Sequence, residues 1–376
     1  MSEPAASPPS FNVLAAGDPA PWFRQRSTGN PSYVFDTAAG RYIVLCFFGS
    51  AGDAMGRATI DAVISQEQRF DDHRVAFFGV SVDTTDESEQ RVTERIPGIR
   101  YFWDFNRSVS RAYGASPIEG GEAFRRFWIV LDPTLRIIAV IPFATDGSDR
   151  ATLFMLLDRL PPPHLYAGFE VQAPVLILPN VFEAALCAKL IELYEMHGGE
   201  ESGFMREVDG KTVLRSDPAH KRRKDHTITD ERLIGLIRFR IRRRVASEIL
   251  KVHQFKATRM ERYIVSCYAA EDGGHFHVHR DNTTKGTAHR RFAVSINLNE
   301  DFEGGRIGFP EYGPRTYKVA AGGAVVFSCS LMHGVSRVTK GRRYAFLPFL
   351  YDEEAAKIRE ANDVHLGEGA PAYLTA

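Results

Sequence analysis

The sequence predicts two domains, an α/β domain followed by a mainly β domain with flanking helices. Its 376 residues are more than one hydrophobic core usually supports. The proline run Pro161–Pro163 can neither continue a helix nor pair inside a sheet. Apolar strands alternate with helical patterns before this run, whereas short strands with glycine-rich turns dominate from Met260 onward. The expected divisions are a mobile tail at 1–10, a first domain at 11–163, a linker at 164–173 and a second domain at 174–376.

The first domain contains continuous apolar runs, which are typical of strands buried on both faces. The predicted strands are Tyr42–Phe48, Val75–Val82, Phe127–Leu131 and Ile137–Ile141. Helical patterns lie at Met55–Phe70, Glu87–Arg95 and Asp149–Leu160. This alternation predicts a mostly parallel sheet with helices beside it.

The second domain opens with a predicted strand at Val175–Leu178 and a helix for which Asn180 is the expected N-cap. A second helix is predicted over roughly 230–252 from apolar residues at i,i+4 spacing. Its arginine-rich face is interpreted as solvated, with contact to a phosphate or acidic substrate as the alternative. The charged segment 200–227 has no periodicity and is expected to be a loop that forms a lid. The remaining short strands predict a β-sandwich or jelly roll.

Composition excludes several classes of protein. Lys+Arg and Asp+Glu balance at 47 each, so bulk charge gives no argument for binding nucleic acid or membrane. No apolar run has the length of a membrane span, and the N-terminus lacks the features of a signal peptide. The four cysteines are far apart and lack zinc-type spacing. A reduced cytoplasmic compartment is therefore expected.

The most informative residues are His279, Asp281 and His333. Two imidazoles and one carboxylate are the ligand set of non-haem iron(II) sites that keep open positions. Residues two apart on a strand face the same side, so His279 and Asp281 can share a metal. The alternative is a zinc site that uses two of the alternating residues His275, His277 and His279.

A basic residue follows the last of these ligands at a distance that suits a bound dicarboxylate. Arg343 lies ten positions after His333. Lys340 and Arg342 are rival cations, but strand alternation places Arg342 on the opposite face. A guanidinium binds a carboxylate through two parallel hydrogen bonds, which suits this role better than an ammonium does.

Three segments resemble the 2-oxoglutarate- and iron(II)-dependent dioxygenases of the prolyl 4-hydroxylase type. They are Tyr268–Asp281 (YAAEDGGHFHVHRD), Phe302–Pro310 (FEGGRIGFP) and His333–Arg343 (HGVSRVTKGRR). The resemblance covers about 200 residues. It implies a double-stranded β-helix, or jelly roll, and an oxidoreductase that uses Fe(II), 2-oxoglutarate and O2, with ascorbate as a reductant. The expected reaction is hydroxylation of a protein, a prolyl-like peptide or a small molecule.

The resemblance also implies roles for individual residues. The iron ligands would be His279, Asp281 and His333. The cosubstrate would contact Arg343, Tyr268 and Asn297, and the residues expected to face the substrate are His277 and Arg280.

The first domain resembles peroxiredoxins of the thioredoxin fold through Gly17–Phe23 (GDPAPWF) and Val80–Asp83 (VSVD). In that family a cysteine begins the helix after the first long strand, and Arg126 would assist its thiolate. Here the corresponding segment Phe48–Gly56 contains no cysteine, and Cys46 lies within the strand. A redox-inactive accessory domain that binds substrate, a partner or a second copy of the chain is therefore expected. The alternatives for the whole protein are a thiol peroxidase or a non-catalytic metal-binding interaction protein.

Overall fold

The computed structural model describes residues 9–367 and 369. The chain divides into two compact units, Met1–Gln172 with Pro310–Pro314 and Ala173–Phe309 with Arg315–Ala376. Residues 1–8 of the expected tail lie outside the described residues, as do 368 and 370–376. Each unit is built around its own hydrophobic core.

The first unit is an α/β sandwich. Its strands are β1 (Arg24–Gln25), β2 (Tyr33–Val34), β3 (Tyr42–Gly49), β4 (Val75–Ser81), β5 (Ile99–Trp103), β6 (Phe127–Leu131) and β7 (Ile137–Pro142). Its helices are α1 (Ala54–Ser65), α2 (Thr84–Ser88), α3 (Ser108–Tyr113) and α4 (Ser148–Arg159). Every residue of β3 and β4 is buried, as their continuous apolar sequences predict.

The main sheet of this unit has the strand order β5-β4-β3-β6-β7. The pairs β3/β4 and β4/β5 are parallel, whereas β3/β6 and β6/β7 are antiparallel. The prediction of a mostly parallel sheet is therefore wrong. The physical reason is the turn at Asp132, whose carbonyl accepts from the Leu135 amide and folds β6 and β7 into a hairpin.

The predicted helix at Glu87–Arg95 is also wrong. Asp83 caps α2 earlier, because its side chain accepts a hydrogen bond from the Thr85 amide. The helix ends at Ser88, and Gln90 adopts a left-handed φ of 52°. Strand β5 was not predicted from the sequence, although it pairs with β4 over five residues.

The second unit is mainly β. Its strands are β8 (Leu176–Leu178), β9 (Glu200–Glu201), β10 (Phe204–Val208), β11 (Lys211–Arg215), β12 (Lys221–Arg222), β13 (Lys224–Thr227), β14 (Arg259–Glu261), β15 (Ile264–Ala269), β16 (His275–His279), β17 (Phe292–Asn297), β18 (Glu303–Gly304), β19 (Ile307–Gly308), β20 (Thr316–Tyr317), β21 (Ala324–Ser328), β22 (His333–Val335), β23 (Val338–Lys340), β24 (Arg342–Phe346) and β25 (Phe349–Tyr351). Its helices are α5 (Ala184–His197), α6 (Glu231–Ile241), α7 (Ser247–His253) and α8 (Glu353–Asn362).

Two antiparallel sheets form the double-stranded β-helix. The smaller sheet has the order β12-β16-β22-β19-β20. The larger sheet contains the path β14-β25-β17-β24-β15-β13-β9, with β21 bridging β17 and β8. Buried residues of α5, α6 and α7 share one core with the larger sheet, including Leu190, Ile237 and Phe346. Because helices cover one face of the larger sheet, its other face is available for polar side chains.

Two local predictions for this unit are wrong, and one is confirmed. Asn180 does not cap α5, because it adopts a left-handed φ of 54° and the helix begins after Glu183. The predicted helix over roughly 230–252 is confirmed, because α6, a π-helical turn at Arg242–Ala246 and α7 follow one another without a break. The segment 200–227 is not a loop, because β10 and β11 pair in register as a hairpin within it.

None of the helices in the described range combines the length with the apolar character that crossing a bilayer requires.

Candidate metal and cosubstrate site

The smaller sheet brings together the three predicted metal ligands. His279 ends β16 and lies directly opposite His333, which begins β22. Asp281 lies in the turn after β16, where its amide donates to the Cys329 carbonyl at 2.9 Å. Within the described residues, these three side chains form the one group of His, Cys, Asp or Glu that could hold a metal, with ligand atoms within 4.8 Å of one another. Asp281 is therefore presented by the turn, and the expectation that it shares a strand with His279 is wrong.

The distances at this cluster suit one small cation. Asp281 Oδ1 lies 3.5 Å from His279 Nε2, and Asp281 Oδ2 lies 3.3 Å from His333 Nε2. Ligand atoms about 2.1 Å from a metal and at right angles are about 3 Å apart. Small side-chain adjustments would therefore bring all three ligand atoms to one ion.

Backbone carbonyls fix the orientation of both imidazoles. His279 Nδ1 lies 2.8 Å from the His277 carbonyl oxygen, and His333 Nδ1 lies 3.0 Å from that of Leu331. A carbonyl only accepts, so each Nδ1 carries the proton and each Nε2 offers its lone pair to the cluster. Phe276 stacks on His279 with ring centroids 3.6 Å apart, and Phe327 packs against His333 at 4.5 Å. The two rings are thus oriented by hydrogen bonds and by packing.

The protonation states also suit metal binding. Burial lowers the pKa of His333 to about 4, so its imidazole is neutral near pH 7. Burial alone would raise the pKa of Asp281, but its interactions with His333, His279 and Arg290 hold it well below its usual range. A neutral imidazole and an ionised carboxylate are the forms that bind cations without first losing a proton.

The two residues expected to face the substrate occupy different environments. His277 is exposed, and it is not part of the metal cluster. Arg280 is buried, and its guanidinium donates to the Ser330 carbonyl oxygen. Arg280 thereby ties the end of β16 to the turn before His333. The zinc alternative based on alternating histidines loses support because β16 contains a bulge between Phe276 and His279, which disrupts simple alternation.

The larger sheet contributes a buried cation. Arg343 is 1% exposed, whereas the neighbouring Arg342 is exposed and pairs with Glu271. Arg343 Nε donates to Asn297 Oδ1 at 3.0 Å, and Nη2 donates to Ser295 Oγ at 2.8 Å. The remaining nitrogen, Nη1, is buried and has no hydrogen-bond partner among the described residues. Asn297 thus orients Arg343, and one guanidinium nitrogen stays available for an anion.

Tyr268 offers a second donor beside this nitrogen. Its Cα pairs with that of Arg343 across β15 and β24, and the Arg343 guanidinium carbon lies 5.3 Å from its ring centroid. Within the described part of the chain, the hydroxyl makes one hydrogen bond, which it accepts from Arg223 Nη1 at 3.4 Å. Its own proton therefore remains available to an acceptor.

Sequence reasoning missed Arg223. This residue is buried and pairs with Asp225, with 2.6 Å between Nη2 and Oδ2. The available signal was the pair of opposite charges two residues apart, Arg223 and Asp225, which lie on one side of an extended segment. That segment was interpreted as part of a lid because it lacks an apolar pattern.

In the first unit, the start of the helix after the first long strand, α1, carries a carboxylate and no thiol. Asp53 caps α1 by accepting from the Gly56 amide. Arg126 donates to both of its oxygens, at 2.9 Å to Oδ1 and 2.5 Å to Oδ2. Cys46 is fully buried in β3, and burial raises the pKa of its thiol well above the usual value. These contacts leave no reactive thiolate at the start of α1.

Family models match two separate parts of the chain. Residues 263–351 match the 2OG-Fe(II) oxygenase superfamily. Residues 16–139 match the AhpC/TSA family. The first segment contains the three cluster residues together with Tyr268 and Arg343. Both resemblances predicted from the sequence, and the fold class of each unit, are therefore confirmed.

Individual curated proteins and solved structures are also similar to parts of this chain. A PKHD-type hydroxylase of Pseudomonas putida is 36% identical over 91 residues, which are 22% of this chain and 39% of that relative. The chain spans less than half the length of the curated relatives it matches, with 39% and 49% covered in two of them. A Trichoplax adhaerens prolyl hydroxylase in complex with a hypoxia inducible factor peptide fragment is 18% identical, with a TM-score of 0.41 over 58% of this chain and 97% of that one. Mycobacterium tuberculosis AhpC is 20% identical, with a TM-score of 0.34 over 40% of this chain and 94% of that one.

The oxygenase superfamily implies Fe(II) and 2-oxoglutarate, and the residues present fit both. Two imidazole nitrogens and one carboxylate on one side of a metal leave open positions, which suits iron(II). Among the described residues, the buried Nη1 of Arg343 and the Tyr268 hydroxyl are donors without an acceptor, which suits the distal carboxylate of 2-oxoglutarate.

Proposed function

We propose that the protein is a 2-oxoglutarate- and iron(II)-dependent dioxygenase that hydroxylates its substrate. The observation that carries this proposal is the pairing of two features in one unit. His279, Asp281 and His333 form a facial ligand set, and Arg343 presents a buried nitrogen that has no hydrogen-bond partner in the described part of the chain. A structural metal site would not need this second feature, whereas a cosubstrate with a distal carboxylate does.

Each residue of the site has a distinct task in this proposal. His279, Asp281 and His333 would hold iron(II), and the carbonyl contacts to both Nδ1 atoms keep the Nε2 lone pairs directed at it. When bound, iron(II) and 2-oxoglutarate supply the activation of O2 and the oxidising power, and 2-oxoglutarate leaves as succinate and CO2. Arg343 would bind the distal carboxylate of 2-oxoglutarate, and this anion would stabilise the positive charge of the buried guanidinium.

The energetic state of Arg343 favours this assignment. Burial lowers the pKa of its guanidinium, and the nearby charge of Arg223 lowers it further. A buried cation with an unsatisfied donor is unfavourable until an anion neutralises it. A bound carboxylate would satisfy both the charge and the free N–H group. The same site would bind a neutral group in this position poorly.

The proposal also covers the substrate, the reductant, the cellular location and the self-association of the protein. A prolyl residue of a protein or peptide is the leading substrate, because PKHD-type hydroxylases are among the relatives, and a small molecule is the alternative. His277 is exposed near the metal cluster and would face the substrate. Ascorbate as reductant, a cytoplasmic location and self-association through the first unit complete the proposal.

The test begins with metal content. We expect purified wild-type protein to bind one Fe(II) per chain and His279→Ala to lose it. His277→Ala is the matched control, because this histidine lies two positions away and outside the cluster. Turnover is then measured as succinate released from 2-oxoglutarate, with proline-containing peptides screened for the added mass of one oxygen atom. Succinate release that is equal in wild type and His279→Ala would refute the proposal.

A further inference from the structure

Arg223 lies immediately before β13 and contacts Tyr268 in the neighbouring strand β15. Strand β13 pairs with β15, and its first residue Lys224 lies opposite Cys267. On the other edge of β15, Tyr268 pairs with Arg343 in β24. Tyr268 is thus in contact with two buried arginines, one from each neighbouring segment.

The two arginines approach the same phenol ring. The guanidinium carbon of Arg223 lies 5.7 Å from the Tyr268 ring centroid, and that of Arg343 lies 5.3 Å from it. Arg223 Nη1 also donates to Tyr268 Oη at 3.4 Å. This second buried arginine was not among the site residues predicted from the sequence, and the proposed function gives it no contact with iron or 2-oxoglutarate.

The second terminal nitrogen of the Arg223 guanidinium, Nη2, is also hydrogen-bonded. Its Nη2 donates to Asp225 Oδ2 at 2.6 Å and to Ser202 Oγ at 3.0 Å. Asp225 in turn accepts from Ser202 at 2.5 Å and from Ser266 at 2.6 Å. Burial alone would lower the pKa of Arg223, but the attraction of Asp225 outweighs burial and raises it. The guanidinium is therefore charged. A fixed, charged donor therefore contacts the Tyr268 oxygen.

This contact determines what the Tyr268 hydroxyl does. A phenol oxygen that accepts a hydrogen bond on one side directs its own O–H elsewhere. A cationic donor also polarises the phenol and strengthens the bond that its proton makes. In the described residues no acceptor takes that proton, and Arg343 Nη1 is likewise a donor without an acceptor.

We propose that Arg223 is a positioning residue for the cosubstrate, which acts through Tyr268 by directing the phenol O–H toward the distal carboxylate held by Arg343. This inference rests on the proposed function, because it assumes that 2-oxoglutarate binds at Arg343. Arg223 does not touch the carboxylate in this account. It makes Tyr268 a better and better-oriented hydrogen-bond donor.

The test is a double-mutant cycle on binding rather than on turnover. The dissociation constant of 2-oxoglutarate is measured by calorimetry on the Mn(II)-loaded protein without O2, so that no reaction occurs. Loss of one oriented hydrogen bond predicts that Arg223→Gln weakens binding about three- to tenfold. In the Tyr268→Phe background the same substitution should change the dissociation constant less than about twofold. Arg222→Gln is the matched control, since Arg222 is the exposed neighbour and should bind like wild type.

Three results would overturn the inference. Arg223→Gln could bind 2-oxoglutarate like wild type, it could lose equal affinity in both Tyr268 backgrounds, or Tyr268→Phe alone could leave affinity unchanged. Equal losses would indicate a general structural role. If Arg223→Gln does not fold, Arg223→Lys takes its place, because lysine keeps the charge beside Asp225 but cannot also reach Tyr268 as a fork. Wild-type protein that fails to bind 2-oxoglutarate would instead refute the proposed function.

Discussion

Replacing Arg343 by methionine tests the cosubstrate pocket, because methionine has a similar reach and no charge. Arg343 is 1% exposed and offers one free N–H group at Nη1. A hydrogen bond to a charged partner contributes about 1.5–3 kcal/mol, which corresponds to a loss of about 10- to 150-fold in affinity for 2-oxoglutarate. The assay is the dissociation constant on Mn(II)-loaded protein, measured by calorimetry without O2.

The folded state should tolerate this change. Arg343→Met removes the hydrogen bonds to Asn297 at 3.0 Å and to Ser295 at 2.8 Å, each of which contributes about 1 kcal/mol. It also removes a buried guanidinium, and burial destabilises the charged form of this group, as its lowered pKa shows. Removing the buried charge therefore offsets part of the loss of the two hydrogen bonds. We therefore expect the free energy of unfolding of the ligand-free protein to fall by no more than about 2 kcal/mol.

Arg342→Met is the matched control for this experiment. Arg342 is the adjacent residue, lies on the opposite face and pairs with Glu271 at the surface. Its substitution should leave 2-oxoglutarate affinity within about twofold of wild type, because surface ion pairs contribute little. The reasoning is refuted if Arg343→Met binds 2-oxoglutarate as tightly as wild type, or if Arg342→Met loses as much affinity.

Two further predictions concern buried ionisable groups. Burial alone would raise the pKa of Glu261, but Arg290 and His289 lower it from the usual 4.5 to about 2. The ionised Glu261 therefore stabilises the fold above about pH 4.5, and this stabilisation is lost as the pH falls toward 2. The free energy of unfolding of the wild type should thus fall by about 3 kcal/mol over this interval through Glu261. In denaturant titrations between pH 5 and 2, the free energy of unfolding of Glu261→Gln should fall less steeply with decreasing pH than that of the wild type. Equal slopes in the two proteins would contradict this account. Because Cys46 is buried and the pKa of its thiol is raised, it should resist alkylation in the native state and react after denaturation. Wild type and Cys46→Ser should both lack peroxide turnover, and activity that Cys46→Ser abolishes would show that the thiol is functional.

The site was more predictable from the sequence than the detailed fold was. His279, Asp281, His333 and Arg343 could be chosen because metal ligands and a carboxylate-binding cation impose residue types at fixed separations. Their geometry still depended on features without a local signal. Asp281 reaches the cluster from a turn, and the register of β16 against β22 shifts between Phe276 and His279.

The missed elements depend on tertiary contacts. Strands β3 and β4 were identified because burial on both faces demands a continuous apolar sequence. The β10–β11 hairpin has half-buried strands with charged residues, so its sequence resembles that of a loop. Arg223 was missed because it lies in the same charged segment, immediately before β13, and only the folded chain brings it into contact with Tyr268. Pairing between distant segments is the information that local patterns do not carry.

The central claim is that His279, Asp281 and His333 hold the metal that, together with Arg343, binds 2-oxoglutarate. The most direct test is anaerobic equilibrium dialysis of labelled 2-oxoglutarate against the protein with and without Fe(II). We predict one 2-oxoglutarate per chain, with affinity that requires Fe(II) and is lost in His279→Ala but kept in His277→Ala. Binding that is absent in the Fe(II)-loaded wild type, or that is equal without Fe(II) and in His279→Ala, would contradict the claim.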